Sequence, residues 1–220
     1  MKVFDTAIIG LGPTGATLAN LLAMQGLSVL VLERESQIYD LPRAVHFDDE
    51  IMRVFQNIGI ADELLPLVRV NPGMKFVDSE NNLLLDWPRP QEITPQGWNA
   101  SYRLHQPDLE RLLRKRLDGF DNVLVKTGTR VTSIDQTGTS VDLLAHSVST
   151  DTSEKYRAQY VIGCDGANSQ TRTMIQSELD DYGFQERWLV IDLILKKPRP
   201  DLGDHSIQFC LPDRPMTYCR

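Results

Sequence analysis

The chain has 220 residues, of which 41% are hydrophobic and 24% charged, a composition ordinary for a globular protein with a core to bury. Its net charge of -7 argues against nucleic acid as a main partner, because neutralising a phosphate backbone needs clustered positive charge. No apolar run approaches the roughly 18 residues needed to span a bilayer.

Cys164, Cys210 and Cys219 are far apart and lack CxxC spacing, so neither a disulfide framework nor a metal site is expected. The first strand begins almost at the N-terminus, which leaves no room for a signal peptide and makes a cytoplasmic location the expectation.

Val3 to Glu33 predicts a strand, a glycine-rich turn, a helix and a second strand. The turn is Gly10-Leu11-Gly12-Pro13-Thr14-Gly15, a GxGxxG element directly after the apolar run Ala7-Ile8-Ile9. Gly10 allows the tight turn, Gly12 lets a pyrophosphate approach the backbone, and Gly15 lets the helix lie close to the sheet. Ala16, Ala19 and Ala23 keep that contact thin. The second strand ends in Glu33, an acid roughly 20 residues after the glycines, placed to accept hydrogen bonds from adenosine ribose hydroxyls. Strand, turn, helix, strand and acid in this order predict an adenine dinucleotide site. They do not say which dinucleotide.

A polar connector, 34–40, leads to Leu41-Pro42-Arg43-Ala44-Val45-His46-Phe47-Asp48. Asp48, Asp49 and Glu50 predict a helix cap and an acidic first turn, with Ile51, Val54, Phe55 and Ile58 as the apolar stripe and Gly59 as the stop. Arg43, just outside that helix, could serve a pyrophosphate or a flavin, or form a surface ion pair; the residues alone leave both open. Residues 66–100 are rich in Pro, Asn, Trp and Gly and predict an inserted hairpin, Met74–Val77 with Leu83–Asp86, where Trp87 and Trp98 either pack the layer or line a substrate pocket.

Gln106-Pro107-Asp108 predicts a second helix start, with Leu109, Leu112, Leu113 and Leu117 on the buried face. Gln106 either caps this helix or meets a cofactor. Arg111, Arg114, Lys115 and Arg116 predict a solvated face with Glu110–Arg114 pairing. Strands follow at Val123–Lys126, Arg130–Asp135, Ser140–Ala145 and Tyr156–Ile162, three of them an antiparallel meander. The last is expected to be buried where it runs through Tyr160-Val161-Ile162-Gly163 and empties into Asp165-Gly166-Ala167-Asn168-Ser169. An acid and a glycine at a strand's carboxyl end lie where open α/β sheets bind ligands, although an Asp-Gly turn followed by a Ser169 cap is equally open. Trp188–Leu195 predicts a further strand, Ser206–Cys210 another, and Arg220 falls inside what reads as a continuing sheet.

Three motifs in order carry a resemblance: the GxGxxG with Glu33, the Pro42-Arg43-Ala44 segment, and Cys164-Asp165-Gly166-Ala167-Asn168-Ser169 through Arg172. Together they resemble the FAD-dependent aromatic hydroxylases, the p-hydroxybenzoate hydroxylase group of flavin monooxygenases. The run Arg43 to Glu50 with Met52-Arg53-Val54-Phe55-Gln56, and the closing Leu211-Pro212-Asp213-Arg214-Pro215, are most similar to the 3-(3-hydroxyphenyl)propionate hydroxylase branch.

The resemblance implies an α/β fold: a Rossmann-like FAD-binding domain with a ββα/antiparallel meander and part of an inserted β-rich substrate domain. It divides the chain into 1–70 with 101–180 for FAD, and 71–100 with 181–220 for the partial substrate domain. It implies that Gly10, Gly12, Pro13, Thr14, Gly15, Glu33 and Arg34 hold the pyrophosphate and ribose, with Val131 near the adenine. Arg43 and Gln106 would meet the flavin side, and Asp165, Gly166 and Arg172 the pyrophosphate. His46 would lie near the aromatic ring as the catalytic candidate, in a suitable pKa range for a base.

The implied reaction hydroxylates a phenolic aromatic acid with NAD(P)H and O2 through a flavin hydroperoxide, the protein positioning the ring and excluding water. A later Gly-Asp motif of the group is not present, so the chain is expected to be an N-terminal fragment, inactive alone. An FAD-binding oxidase or dehydrogenase, or a non-catalytic FAD-binding fragment, are the competing expectations. The implied partner is a small aromatic substrate, and a homo-oligomer stays open.

Overall fold

The computed structural model describes residues 2–41 and 43–219; Pro42, the first residue of the Pro-Arg-Ala segment, and Arg220 lie outside the described residues. The chain opens with β1 (Val3–Ile9), α1 (Pro13–Met24) and β2 (Val29–Leu32), followed by β3 (His46–Asp48), α2 (Asp49–Ile58) and α3 (Ala61–Leu64). Four short strands come next, β4 (Arg69–Val70), β5 (Gly73–Val77), β6 (Leu83–Pro88) and β7 (Ser101–Arg103), then α4 (Gln106–Leu117). The remainder is β8 (Val123–Lys126), β9 (Thr129–Thr137), β10 (Ser140–Ser147), β11 (Thr152–Gly163), α5 (Gln170–Met174), β12 (Ser206–Phe209) and β13 (Met216–Tyr218).

The main sheet has the order β8-β2-β1-β11-β10-β9. Its first four strands are parallel, and β9, β10 and β11 form the antiparallel meander. A parallel sheet covered on both faces needs strands apolar on both faces, and β2 meets this with Val29, Leu30, Val31 and Leu32 all fully buried. Val29 and Val31 face a core shared with α1, α2 and α4, while Leu30 and Leu32 face one built with Val131, Leu143, Ala145, Tyr156 and Ala158 of the meander. The meander thereby closes over the sheet's second face. It brings the start of β9 to the end of β2, where the Thr129 N–H donates to the Glu33 carbonyl at 2.8 Å.

Two smaller sheets occupy the long connection around α2 and α4: a three-stranded one, β3-β7-β4, and a four-stranded one, β13-β12-β5-β6. In the latter β12 runs parallel to β5 across more than a hundred residues of sequence, joining the expected hairpin to the C-terminal strands. Arg103 on β7 stitches the two sheets together. Its guanidinium donates to the Asp204 carbonyl, the Asn71 side chain and the Ser206 hydroxyl.

Three expectations are corrected. The buried face of α2 is Met52, Phe55 and Ile58, and Ile51 is 42% exposed. The reason lies at the helix start. Asp48 is the cap, accepting from the Ile51 N–H at 3.0 Å, and Phe47 before it is buried and stacked on Tyr102. An apolar residue before the cap packs on the fourth helical position, which here is Met52, in the same core cluster. Tyr160 is 68% exposed, because the pairing of β10 on β11 ends at Val141 with Ala158 and the meander covers nothing beyond it. Trp188–Leu195 is not a strand. It has no neighbouring strand among the described residues, and Ile194 is 97% exposed.

Met52→Ala is expected to lower the unfolding free energy by about 2–5 kcal/mol, while Ile51→Ala changes it by less than about 1 kcal/mol. Urea denaturation of the two variants checks this, and equal losses would contradict the assignment of the buried face.

Candidate functional site

The glycine turn closes on the neighbouring strand by steric necessity. Gly10 has φ +105, and a Cβ there would sit 2.4 Å from the Cys164 carbonyl oxygen; at Gly15 it would sit 2.0 Å from the Gly10 carbonyl oxygen. Both positions are fixed by packing. Gly12 differs, because a Cβ on it meets no atom of the described residues within 4 Å. Its open side gives onto a groove of about 500 Å3, inside the usual range for a small-molecule site. Gly12 is also the cap residue of α1 and supplies no side-chain acceptor. The first N–H groups of that helix therefore point outward as anion donors.

Gly10, Gly12, Pro13, Thr14, Glu33, Arg34, Arg43, Gln106, Val131, Asp165 and Gly166 all line this groove. The structure thus brings together residues from six separate stretches of sequence. Gly15 is packed behind the turn. Arg172 is not among the lining residues; its guanidinium donates to the Ala167 carbonyl at 2.9 Å and braces the turn after Asp165. His46 lies elsewhere, in a second cavity described below.

Glu33 is buried, and its two carboxylate oxygens accept from the N–H of Leu11 at 2.6 Å and of Glu35 at 2.8 Å. The acid thus locks the end of β2 to the glycine turn, and its remaining lone pairs stay available to hydroxyl donors in the groove. Asp165 accepts from the Ser169 hydroxyl at 2.6 Å and the Thr171 N–H at 2.9 Å. Burial acts to raise its pKa, but these hydrogen bonds to the charged form outweigh burial and hold the carboxyl below its ordinary value.

Gln106 does not cap its helix. Its side-chain oxygen accepts from the backbone N–H of Arg43 at 3.0 Å and of Ala44 at 2.8 Å, and its amide nitrogen donates to Glu110 at 2.7 Å. Glu110 in turn pairs with Arg114 at 3.3 Å, and Arg114 donates to the Leu11 carbonyl at 3.0 Å. The expected Glu110–Arg114 pair is therefore present but buried, and Arg114 lines the groove. Its Nε is buried with no hydrogen-bond partner among the described residues. The i, i+4 spacing was a visible signal for this pair; nothing local in the sequence showed that its face points inward. Arg111 and Lys115 do lie on a solvated face, pairing with Asp108 and Glu63.

Arg43 stacks near the Tyr39 ring, 5.1 Å from its centre. Three residues on, roughly 10 Å of extended chain, His46 and Val45 line the second cavity of about 210 Å3, with Asn71, Trp87, Arg89 and Arg103. Arg89 lies over the Trp87 ring at 4.3 Å. His46 Nε2 is 2.7 Å from the Ser101 hydroxyl, which also accepts from the Asn71 amide at 3.0 Å. Sequence reasoning singled out neither Asn71, Ser101 nor Arg89, since polar residues in short strands carry no period or motif. Among the described residues no cluster of His, Cys, Asp or Glu could hold a metal ion, and no helix is long and apolar enough to cross a membrane.

The family model for the FAD binding domain matches residues 3–217. The chain belongs to the FAD binding domain family. It is 43% identical over 219 residues to a probable NADH-specific resorcinol 4-hydroxylase of Rhodococcus jostii, covering 98% of this chain and 40% of that one. It is 37% identical over 204 residues to a 3-(3-hydroxy-phenyl)propionate/3-hydroxycinnamic acid hydroxylase of Mycolicibacterium smegmatis, covering 90% of this chain and 35% of the relative.

The chain thus spans well under half the length of these relatives. Its fold matches a flavin-dependent monooxygenase crystallised with FAD and substrate, at TM-score 0.73 and 22% identity over 81% of this chain and 33% of that one. A p-nitrophenol 4-monooxygenase from Pseudomonas putida matches at TM-score 0.70 and 23% identity, over 79% and 43%. FAD is the cofactor of this fold. The residues present fit it: an open glycine at a helix N-terminus, a buried acid with spare acceptors and the Arg114 side chain all line one groove.

Removing Glu110 leaves Arg114 without its partner in a mostly buried setting, so Glu110→Ala is expected to lower stability by about 3 kcal/mol. Amide hydrogen exchange at Arg43 and Ala44 should quicken in the same variant, because Gln106 loses its anchor. Unchanged exchange at those two amides would show that the chain of bonds does not hold the segment.

Proposed function

We propose that the protein is an FAD-dependent monooxygenase that hydroxylates a phenolic aromatic compound, with NADH as electron donor and dioxygen as oxygen source. Family membership, the names of the 43% and 37% identical relatives, and the arrangement of the two cavities support this reading. The observation that carries it is the segment Arg43 to His46, which runs from the dinucleotide groove into an aromatic-walled cavity. The reaction balances as aromatic C–H, O2, NADH and a proton giving aromatic C–OH, water and NAD+.

When bound, FAD supplies the redox chemistry, accepting a hydride and delivering one oxygen atom to the ring. The protein's part is binding, orientation and exclusion of water. In this reading Gly12, Pro13 and Thr14 at the N-terminus of α1 hold the pyrophosphate against helix donors, with Gly10 and Gly15 shaping the turn. Glu33 accepts from the ribose hydroxyls, Arg34 flanks them, and Val131 packs on the adenine. Arg43 and the Gln106 anchor set the flavin side, and Asp165 and Gly166 border the pyrophosphate. Arg172 acts indirectly, through the Asp165 turn. Residues 71–100 and 181–220 belong to the substrate-binding part and the remainder of 1–180 to the FAD part.

The purified chain should bind FAD and be yellow. In a protein that carries this chain together with the further length its relatives have, phenolic compounds should quicken NADH oxidation, with hydroxylated product matching oxygen consumed. Gly12→Ala should weaken FAD binding by about tenfold or more with little change in the stability of the apoprotein, since its Cβ enters only the groove. Gly15→Ala should instead destabilise the fold itself. A colourless protein whose affinity for FAD is indifferent to Gly12→Ala contradicts the proposal.

A further inference from the structure

The second cavity has a one-sided chemistry. Among the described residues its lining holds no Asp or Glu and carries His46, Arg89 and Arg103 together with the Trp87 ring. Arg89 lies over Trp87, and among the described residues it has no carboxylate partner. The hydrogen bonds behind His46 also run in one direction. The Asn71 side-chain oxygen accepts from the Gly73 N–H at 3.1 Å and from the Arg103 guanidinium at 2.9 Å, which fixes how its amide is turned. The Asn71 amide nitrogen must then donate to the Ser101 hydroxyl. Ser101 is 2% exposed, and among the described residues its hydroxyl hydrogen has no acceptor in contact other than His46 Nε2, 2.7 Å away, because the Asn71 nitrogen is a donor. Satisfying that buried hydrogen directs it at Nε2. That occupies the Nε2 lone pair and leaves the ring hydrogen of neutral His46 on Nδ1.

We infer that His46 serves the second cavity as an N–H donor and not as a base, and that with Arg89 it selects an aromatic ligand bearing an oxyanion. Asn71 and Ser101 are positioning residues that set its tautomer. The inference rests on the aromatic hydroxylase reading and names the charge state that site takes. Burial and the charges of Arg89 and Arg103 push the His46 pKa down, against the opposing charge of Asp48, so the neutral ring persists at neutral pH; Cys219 is the other titratable group at the cavity. A phenolate oxygen and a side-chain carboxylate offer the same acceptor chemistry, with the ring laid against Trp87 in either case.

The test uses 4-nitrophenol, whose ionisation falls near neutral pH and is visible in its own absorbance, bound to the FAD-loaded protein without NADH. The acidity of the bound probe should rise by about tenfold over the free compound. Arg89→Gln and Ser101→Ala should each remove most of that rise, and heteronuclear NMR should place the His46 hydrogen on Nδ1 in the parent protein only. Benzoate displacing the probe, with no rise in acidity, would assign the oxyanion to a carboxylate and support the inference in that form. A probe bound in its neutral form and insensitive to benzoate, or a His46 hydrogen on Nε2, would overturn it. Phenol-stimulated NADH oxidation, measured in parallel on a protein that carries this chain together with the further length its relatives have, keeps the two proposals separable. If it survives while the probe binds neutral, the hydroxylase reading stands and this inference falls.

Discussion

The buried carboxylate of Glu110 is the constraint on which the site depends. It holds Gln106 on one side and Arg114 on the other. Gln106 grips the backbone of Arg43 and Ala44, and Arg114 grips the carbonyl of Leu11 in the glycine turn. Glu33 then holds the N–H of that same Leu11. One continuous polar chain therefore fixes both ends of the dinucleotide groove relative to each other. A buried ion pair is weak evidence for stability by itself, since desolvation offsets most of its attraction. Its consequence here is geometric. Without it the Arg43 and Ala44 backbone would lose its side-chain anchor, leaving the segment held only from Val45 onward, where the Val45 carbonyl accepts from the Leu104 N–H and β3 pairs with β7.

The glycines of the turn divide by physical role. Gly10 and Gly15 are dictated by contacts inside the protein, with backbone carbonyls where a side chain would go, whereas Gly12 is dictated by nothing in the protein. Space that the fold could have filled and did not is space for a ligand, and it lies at the donor end of α1. The meander completes the enclosure, because Val131 reaches the groove only when β9 folds back onto the end of β2.

Much of this was legible from residue order. The strand, turn, helix and strand of 3–33, the capping of α2 by Asp48, the hairpin of 74–77 with 83–86 and the meander all follow from local patterns, and the structure has them, the hairpin strands running slightly longer as Gly73–Val77 and Leu83–Pro88. What was not legible depended on distant partners. Gln106 and Arg43 are 63 residues apart, and an amide that serves as a backbone anchor looks in sequence like any helix-start residue. Ile51 and Met52 are adjacent, equally apolar candidates, and only the burial of Phe47 decides between them. Trp188–Leu195 has the composition of a strand, yet a strand exists only with a neighbour to pair with. The polar set around His46 comes from two short strands of one small sheet, β3 and β7, and the loop at Asn71, with no spacing to announce it.

Two cavities joined by a pinned segment define what the chain offers: a groove suited to a dinucleotide, and beyond Arg43 a small cationic space walled by Trp87. The most direct measurement is a crystal structure of the protein with FAD bound. The account predicts the pyrophosphate on the N–H groups at Gly12 and Thr14, the ribose on Glu33, and the flavin ring lying along Arg43 toward the second cavity. A flavin ring placed at the Val131 end, with the adenine beside Arg43, would contradict it.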